Sequence, residues 1–178
     1  MRLSKYHQMN SSFIIRNAGE KDVLLIREIA YKVWPDVYTS ILPEGQVTYM
    51  LGLIYSEESL KNQLLQLHHH FLILEQGGQA AGFASYSKEG DHIFKLNKLY
   101  VLTALQGKGA GGMLLNRVIE DIKKVNANAL MLTVNRNNLN AKTFYEKRGF
   151  IVSREMKIDI GNGYIMDDFI MELQLETL

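Results

Sequence analysis

Gln106-Gly107-Lys108-Gly109-Ala110-Gly111-Gly112 stands between an apolar, strand-like run from Ile93 to Val101 and a helix-like run that begins at Met113. Four glycines within six residues let a backbone turn so tightly that several N–H groups point into one small space. A diphosphate accepts such groups at a helix N-terminus. The stretch therefore predicts a nucleotide or an acyl-type group carrier as ligand. Two further templates share its glycines. Gly107, Gly109 and Gly112 spell G-x-G-x-x-G, and Gly107 with Gly112 supplies the outer glycines of a Walker A loop. A Walker A loop needs Lys and then Ser or Thr after its last glycine, where Met113 and Leu114 stand, which argues against ATP or GTP hydrolysis. A dinucleotide site wants the glycines directly after the strand and a carboxylate about 20 residues on. Thr103, Ala104 and Leu105 intervene, and the next strand-like run ends Thr133-Val134-Asn135-Arg136 without a carboxylate. A NAD(P)-dependent oxidoreductase is kept only as an alternative.

Outward from the loop, the hydrophobic period assigns the remaining elements. The helix over 110–125 carries Leu114, Leu115, Val118, Ile119, Ile122 and Val125 on one stripe. Ala129 to Val134 reads as a strand, and Leu139 to Lys147 as a short helix that Gly149 ends. Phe150 to Ile158 and Asp168 to Leu175 read as strands joined around Gly161-Asn162-Gly163. Toward the N-terminus, Phe71 to Leu74 and Ala80 to Tyr86 flank Gly77-Gly78 as a hairpin. Three helical patterns precede it. One runs from Glu20 to Trp34 with Pro35 as its stop. A second starts near Pro43 with Val47, Met50, Leu51 and Ile54, and a third is capped by Ser56. Phe13 to Arg16 reads as a strand after a polar lead-in over 1–11. This order predicts an α/β protein, with a mixed sheet and helices on its faces rather than a purely parallel winding.

With 178 residues the chain suits a single domain. Its 20 basic and 19 acidic residues leave a net charge of +1, which disfavours an electrostatically recruited nucleic-acid binder. Cysteine is absent, so thiolate metal ligands, disulfides and covalent thiol catalysis are excluded. No signal-like or membrane-length apolar run is present, and the expectation is a cytoplasmic protein. His68-His69-His70 is not read as a metal site, because consecutive residues point in different directions.

Two segments together resemble the GNAT-type N-acetyltransferases. Gln106 to Gly111 is similar to that superfamily's Q/R-x-x-G-x-G/A loop. Asn140-Ala141-Lys142-Thr143-Phe144-Tyr145-Glu146-Lys147-Arg148-Gly149-Phe150 is similar to its N-A-x-x-F-Y-E-K-x-G-F signature. The resemblance implies a GNAT-like fold: a mostly antiparallel twisted sheet with one splayed parallel pair. It implies acetyl-CoA as co-substrate, with Gln106, Gly107, Lys108, Gly109, Ala110, Gly111 and Gly112 around the pyrophosphate. Leu99, Tyr100 and Val101 would pair with the pantetheine arm and offer an N–H to the thioester oxygen. Asn140 would hydrogen-bond the cofactor, with Asn135 as a further contact, and Tyr145 would protonate the departing thiolate. No metal is implied. The reaction would be direct attack by an amine of a small molecule, a polyamine among them, or of a peptide.

An ammonium must lose its proton before it attacks. Lys95, Asn97 and Lys98 on the 93–101 strand include no carboxylate, so His92, Asp167, Asp168 or a water chain are the candidate bases. Trp34, Tyr38, Tyr49 and Tyr55 lie where the resemblance builds its acceptor site, and each is equally a core aromatic. The partners implied are a small-molecule amine or a peptide, no nucleic acid and no membrane, with a homodimer left open. A noncatalytic acyl-CoA-binding module is the alternative that keeps the loop without the chemistry.

Overall fold

Phe13–Asn17 (β1) opens the computed structural model, which describes residues 12–176; the lead-in expected over 1–11 lies outside the described residues. Helices α1 (Val23–Tyr38), α2 (Gln46–Tyr55) and α3 (Glu57–Leu65) follow. Strands β2 (His70–Gln76), β3 (Gln79–Gly90) and β4 (Ile93–Val101) then lead to α4 (Ala110–Lys123). The chain continues through β5 (Ala129–Asn135), α5 (Leu139–Glu146), β6 (Ile151–Gly161) and β7 (Tyr164–Gln174). The seven strands form one sheet in the order β1-β2-β3-β4-β5-β7-β6. All neighbours run antiparallel except β4 and β5. The sequence expectation of a mixed sheet around one parallel pair holds.

Each face of the sheet is covered by its own apolar layer. On one side Leu114, Leu115, Val118 and Ile122 of α4 pack with Phe94, Leu96, Val101, Leu130 and Leu132. On the other, Val23, Ile26, Ile29, Ala30 and Val33 of α1 pack with Met50, Leu51, Tyr55, Leu60, Phe71, Ile73 and Phe83. The helical period of three and four residues is thus read out as burial. Val125 is the exception to the predicted stripe: α4 stops at Lys123, and the turn leaves Val125 exposed.

Both prolines behave differently from the expectation. Pro35 does not end α1, because it forfeits only its own N–H while its carbonyl still accepts from Thr39 at 3.2 Å. The last turn, ending at Tyr38, is held by aromatic contact with Trp34, whose ring lies 4.6 Å away. Pro43 lies in the turn ahead of α2, where its carbonyl accepts from Gln46. Ser56 caps α3 as expected, its Oγ accepting from the Ser59 N–H at 3.2 Å.

Candidate active site

One extra residue on β4 creates the site. Ser85 pairs with Lys98 and Tyr86 with Leu96, so Asn97 bulges out of the ladder. Before the bulge Phe94 and Leu96 face α4; after it Leu99 and Val101 do so, and Tyr100 turns to the α1–α3 layer. Parallel pairing with β5 runs from Ile93 opposite Ala129 to Leu96 opposite Leu132, and ends at the bulge. Beyond it the two strands part, while β5 continues along β7 as far as Asn135 opposite Asp168.

The gap is a cleft of about 700 Å³ lined by Leu96 to Val101 on one side and by Leu132, Thr133 and Val134 on the other. Leu102 donates its N–H to Ala81 of β3 at 2.9 Å, so Tyr100, two residues back, also turns its backbone to β3. Leu99 and Val101 consequently turn theirs toward the gap, where an extended ligand could pair as a strand.

The glycine loop closes one end of this cleft. Gly107 and Gly109 have φ values of +74° and +84°, and a Cβ on either would meet nothing within 4 Å. No backbone carbonyl of the described residues accepts from the amides of Gly107, Gly109, Ala110, Gly111 or Gly112. The first bond into α4 is that of Met113 to Gly109 at 3.0 Å. Five neighbouring N–H groups at a helix N-terminus make a cradle for an anion. Gln106, Gly107 and Gly111 line the cleft itself; Lys108, Gly109, Ala110 and Gly112 complete the turn beside it.

Arg148 was not singled out in the sequence, although it occupies the last of the three variable positions of the second signature. Its guanidinium stacks over Phe144 at 3.7 Å, and a Cβ on Gly112 would lie 2.9 Å from its Nη2. A cation therefore stands beside the cradle.

Helix α5 brings Tyr145 and Asn140 to the cleft. Asn138, not Asn140, caps this helix: its Oδ1 accepts from the Ala141 N–H at 3.1 Å, which leaves the Asn140 amide free of that duty. Tyr145 is 8% exposed, with Phe144 and Phe150 edge-on at 5.1 and 5.4 Å. Burial, with the nearby Tyr38, raises its pKa well above the usual phenol, so it keeps its proton. Asn135 lies elsewhere. It lines a second, smaller pocket instead of the cleft, and its Oδ1 accepts from the Asn137 N–H at 3.0 Å.

That smaller pocket, of about 120 Å³, adjoins the cleft through shared walls of Tyr38, Asn97, Lys98, Tyr100 and Thr133. Trp34 and Tyr55 also line it, so three of the four aromatics singled out in the sequence meet here. Tyr49 does not; its hydroxyl donates to the Ile160 carbonyl at 2.7 Å. The Tyr38 and Tyr100 hydroxyls lie 3.2 Å apart. Lys98, also unforeseen, is 7% exposed, and burial together with the charge of Lys95 pushes its ammonium down to about 7.

Of the candidate bases, only Asp168 reaches this region. His92 sits at the opposite end of β4, its Nδ1 2.7 Å from the Asn126 carbonyl oxygen. Asp167 is held by Arg136 at 3.0 Å and Lys157 at 3.2 Å. Asp168, one residue on and so on the other face of β7, is buried and lines the smaller pocket. The consecutive histidines diverge: His69 stacks on Phe71 and His70 on Tyr86.

Residues 42–165 match the family model described as Acetyltransferase (GNAT) domain. The chain belongs to the GNAT acetyltransferase family. Among curated relatives, it is 28% identical over 170 residues to spermidine N(1)-acetyltransferase of Thermoplasma acidophilum, covering 93% of this chain and 99% of that one. It is also 28% identical over 115 residues to the L-methionine sulfoximine/L-methionine sulfone acetyltransferase of Salmonella typhimurium, covering 62% and 67%. Its fold superimposes with a TM-score of 0.79 on the PaiA N-acetyltransferase of Thermoplasma acidophilum in complex with coenzyme A. That match is at 26% identity and covers 92% and 99% of the two chains. This GNAT chain is an acyltransferase. No helix among its described residues is long and apolar enough to cross a membrane.

Proposed function

We propose that this GNAT chain moves the acetyl group of acetyl-CoA onto a primary amine of a small molecule or peptide by direct attack, in the cytoplasm. The observation that carries this reading is the row of five uncommitted amides from Gly107 to Gly112 at the end of a cleft that Tyr145 also lines. The fit to a diphosphate is chemical as well as steric. Gly107 and Gly109 leave open space where side chains would crowd it, and Arg148 supplies a positive charge. Asn140 adds a side-chain amide, and the backbones of Leu99 and Val101 can pair with an extended arm. When bound, acetyl-CoA supplies the thioester that an amine attacks. Tyr145 holds a proton at the cleft across the neutral range and is positioned as general acid. The coverage of the spermidine acetyltransferase along nearly the whole chain supports a small amine as acceptor.

Thermal unfolding with acetyl-CoA, NADH or ATP tests the donor, since a ligand that binds only the folded state raises the midpoint. Stabilisation by acetyl-CoA together with thiol release in the presence of amines is expected. Stabilisation by NADH and not by acetyl-CoA would overturn the reading in favour of an oxidoreductase.

A further inference from the structure

Asp168 is 3% exposed, yet no cation pairs with it among the described residues. Arg136 is committed to Asp167 and Glu155, and Lys98 donates its Nζ to the Gln63 Oε1 at 2.5 Å. The side-chain amide of Asn135 and, through space, the charge of Lys95 favour the ionised carboxylate. A buried carboxylate left this way is costly, and the cost falls when a cation arrives from outside. The pocket it lines is built to receive one. Trp34, Tyr38, Tyr55 and Tyr100 form its walls, with Trp34 ring centroids 4.6, 5.5 and 6.0 Å from those of the three tyrosines. Aromatic faces attract ammonium groups, more strongly when both are desolvated.

Asp168 lines this pocket and not the cleft, whereas Tyr38, Asn97, Lys98, Tyr100 and Thr133 line both. A group held by Asp168 is therefore set back from the place where the amine must react. We propose that Asp168 binds the non-reacting ammonium of an aliphatic diamine or polyamine, whose other amine reaches the cleft past Tyr38 and Tyr100. This rests on the acetyltransferase reading and adds the acceptor's second charge to it. The pocket's volume of about 120 Å³ suits an ammonium head on a methylene chain. An α-amino acid fits less well, because its carboxylate would meet the uncompensated charge of Asp168, and the pocket's lining cation, Lys98, is turned toward Gln63.

The test measures thiol release from acetyl-CoA with 1,4-diaminobutane, spermidine, n-butylamine and methionine, in the wild type and in Asp168→Asn. The wild type should favour 1,4-diaminobutane over n-butylamine by ~30-fold or more in kcat/KM, the scale of a buried charge pair. Asp168→Asn should bring that ratio to within ~3-fold through KM, with stabilisation by coenzyme A retained. Equal use of the two amines by the wild type, or a ratio that survives in the variant, would overturn the proposal. A better acceptor in methionine, with acetyl-CoA binding intact, would overturn it and leave the transferase reading standing. Absence of any acetyl-CoA binding would remove both.

A wild-type pH series serves if the variant does not fold. Burial and the charge of Asp167 raise Asp168 to about 6, while Asn135 and Lys95 oppose this. KM for 1,4-diaminobutane should therefore rise as pH falls through about 6. Lys98, Tyr38, Tyr55 and Tyr100 also face the pocket, and n-butylamine reports on them without engaging Asp168. The same rise for n-butylamine would overturn the assignment.

Discussion

The Nζ of Lys98 donates to the Oε1 of Gln63 across 2.5 Å, tying the strand that forms the cleft to α3. Gln63 in turn donates to the Ile54 carbonyl at 2.8 Å and to Ser59 at 3.1 Å, so one buried amide joins β4, α2 and α3. The ammonium has Tyr55 and Phe71 rings at 5.7 and 5.6 Å and, among the described residues, no carboxylate partner.

Lys98 should make stability depend on pH in a defined window. Its folded value of about 7 lies below the ordinary 10.5, so below pH 7 both folded and unfolded chains carry the proton and the burial penalty is present in full. Between about 7 and 10.5 only the unfolded chain binds it, and the penalty fades as pH rises. Lys98→Met removes the charge at every pH and leaves Gln63 short of a donor at every pH. The difference in Tm between variant and wild type should therefore move in the variant's favour at pH 6 relative to pH 9. A pH-independent difference in calorimetry would contradict the assignment.

Asp168 predicts the opposite trend at the acid end. Its folded value of about 6 exceeds the ordinary 3.8, so the penalty is absent near pH 3.8 and complete above about 6. Asp168→Asn should raise Tm at pH 8 and leave it nearly unchanged at pH 4. That combination, with the loss of diamine selectivity, marks a residue that lowers stability in exchange for recognition.

The glycine loop can be tested by separating backbone from charge. Gly109→Ala meets no steric contact but must adopt a φ of +84°, at a cost of about 1 kcal/mol. Gly109→Glu carries the same backbone cost and adds an anion beside the amide cradle. Isothermal titration should show coenzyme A affinity lower by ~100-fold or more in the Glu variant than in the Ala variant. Equal affinities would mean that the phosphates lie elsewhere.

Tyr145→Phe should lower kcat by ~100-fold and leave the affinity for coenzyme A within ~2-fold, as expected for a proton donor that acts only during bond cleavage. Single-turnover kinetics with saturating acetyl-CoA measure the first, and calorimetric titration the second. The ring's contacts with Phe144 and Phe150 are preserved in the variant, so a large fall in Tm is not expected.

The elements of the proposed donor site were legible in the sequence because they are local. Ile93 to Val101, the glycines and the α4 stripe are consecutive, and Asn140 to Phe150 form one continuous signature. Their periods and turn residues name their conformations directly. The smaller pocket proposed for the acceptor was not, because it is assembled from distant segments: Trp34 and Tyr38 on α1, Tyr55 on α2, Lys98 and Tyr100 on β4, Asp168 on β7. In the sequence Asp168 is indistinguishable from Asp167, and only the alternation of β7 sends one to an Arg136 ion pair and the other into the pocket. The burial of Lys98 against the α1–α3 layer was not readable, because a strict two-residue period gives no sign of the irregularity at Asn97.

That irregularity has a further implication. Were Asn97 taken into the ladder instead of bulging from it, the residues on both sides of position 97 would alternate without interruption, and Tyr100 would share a face with Leu96. The aromatic floor would swing toward α4, and nothing would stop β4 and β5 from zipping together to their ends. One amino acid left out of the ladder thus separates an inert slab of sheet from one with a doorway in it.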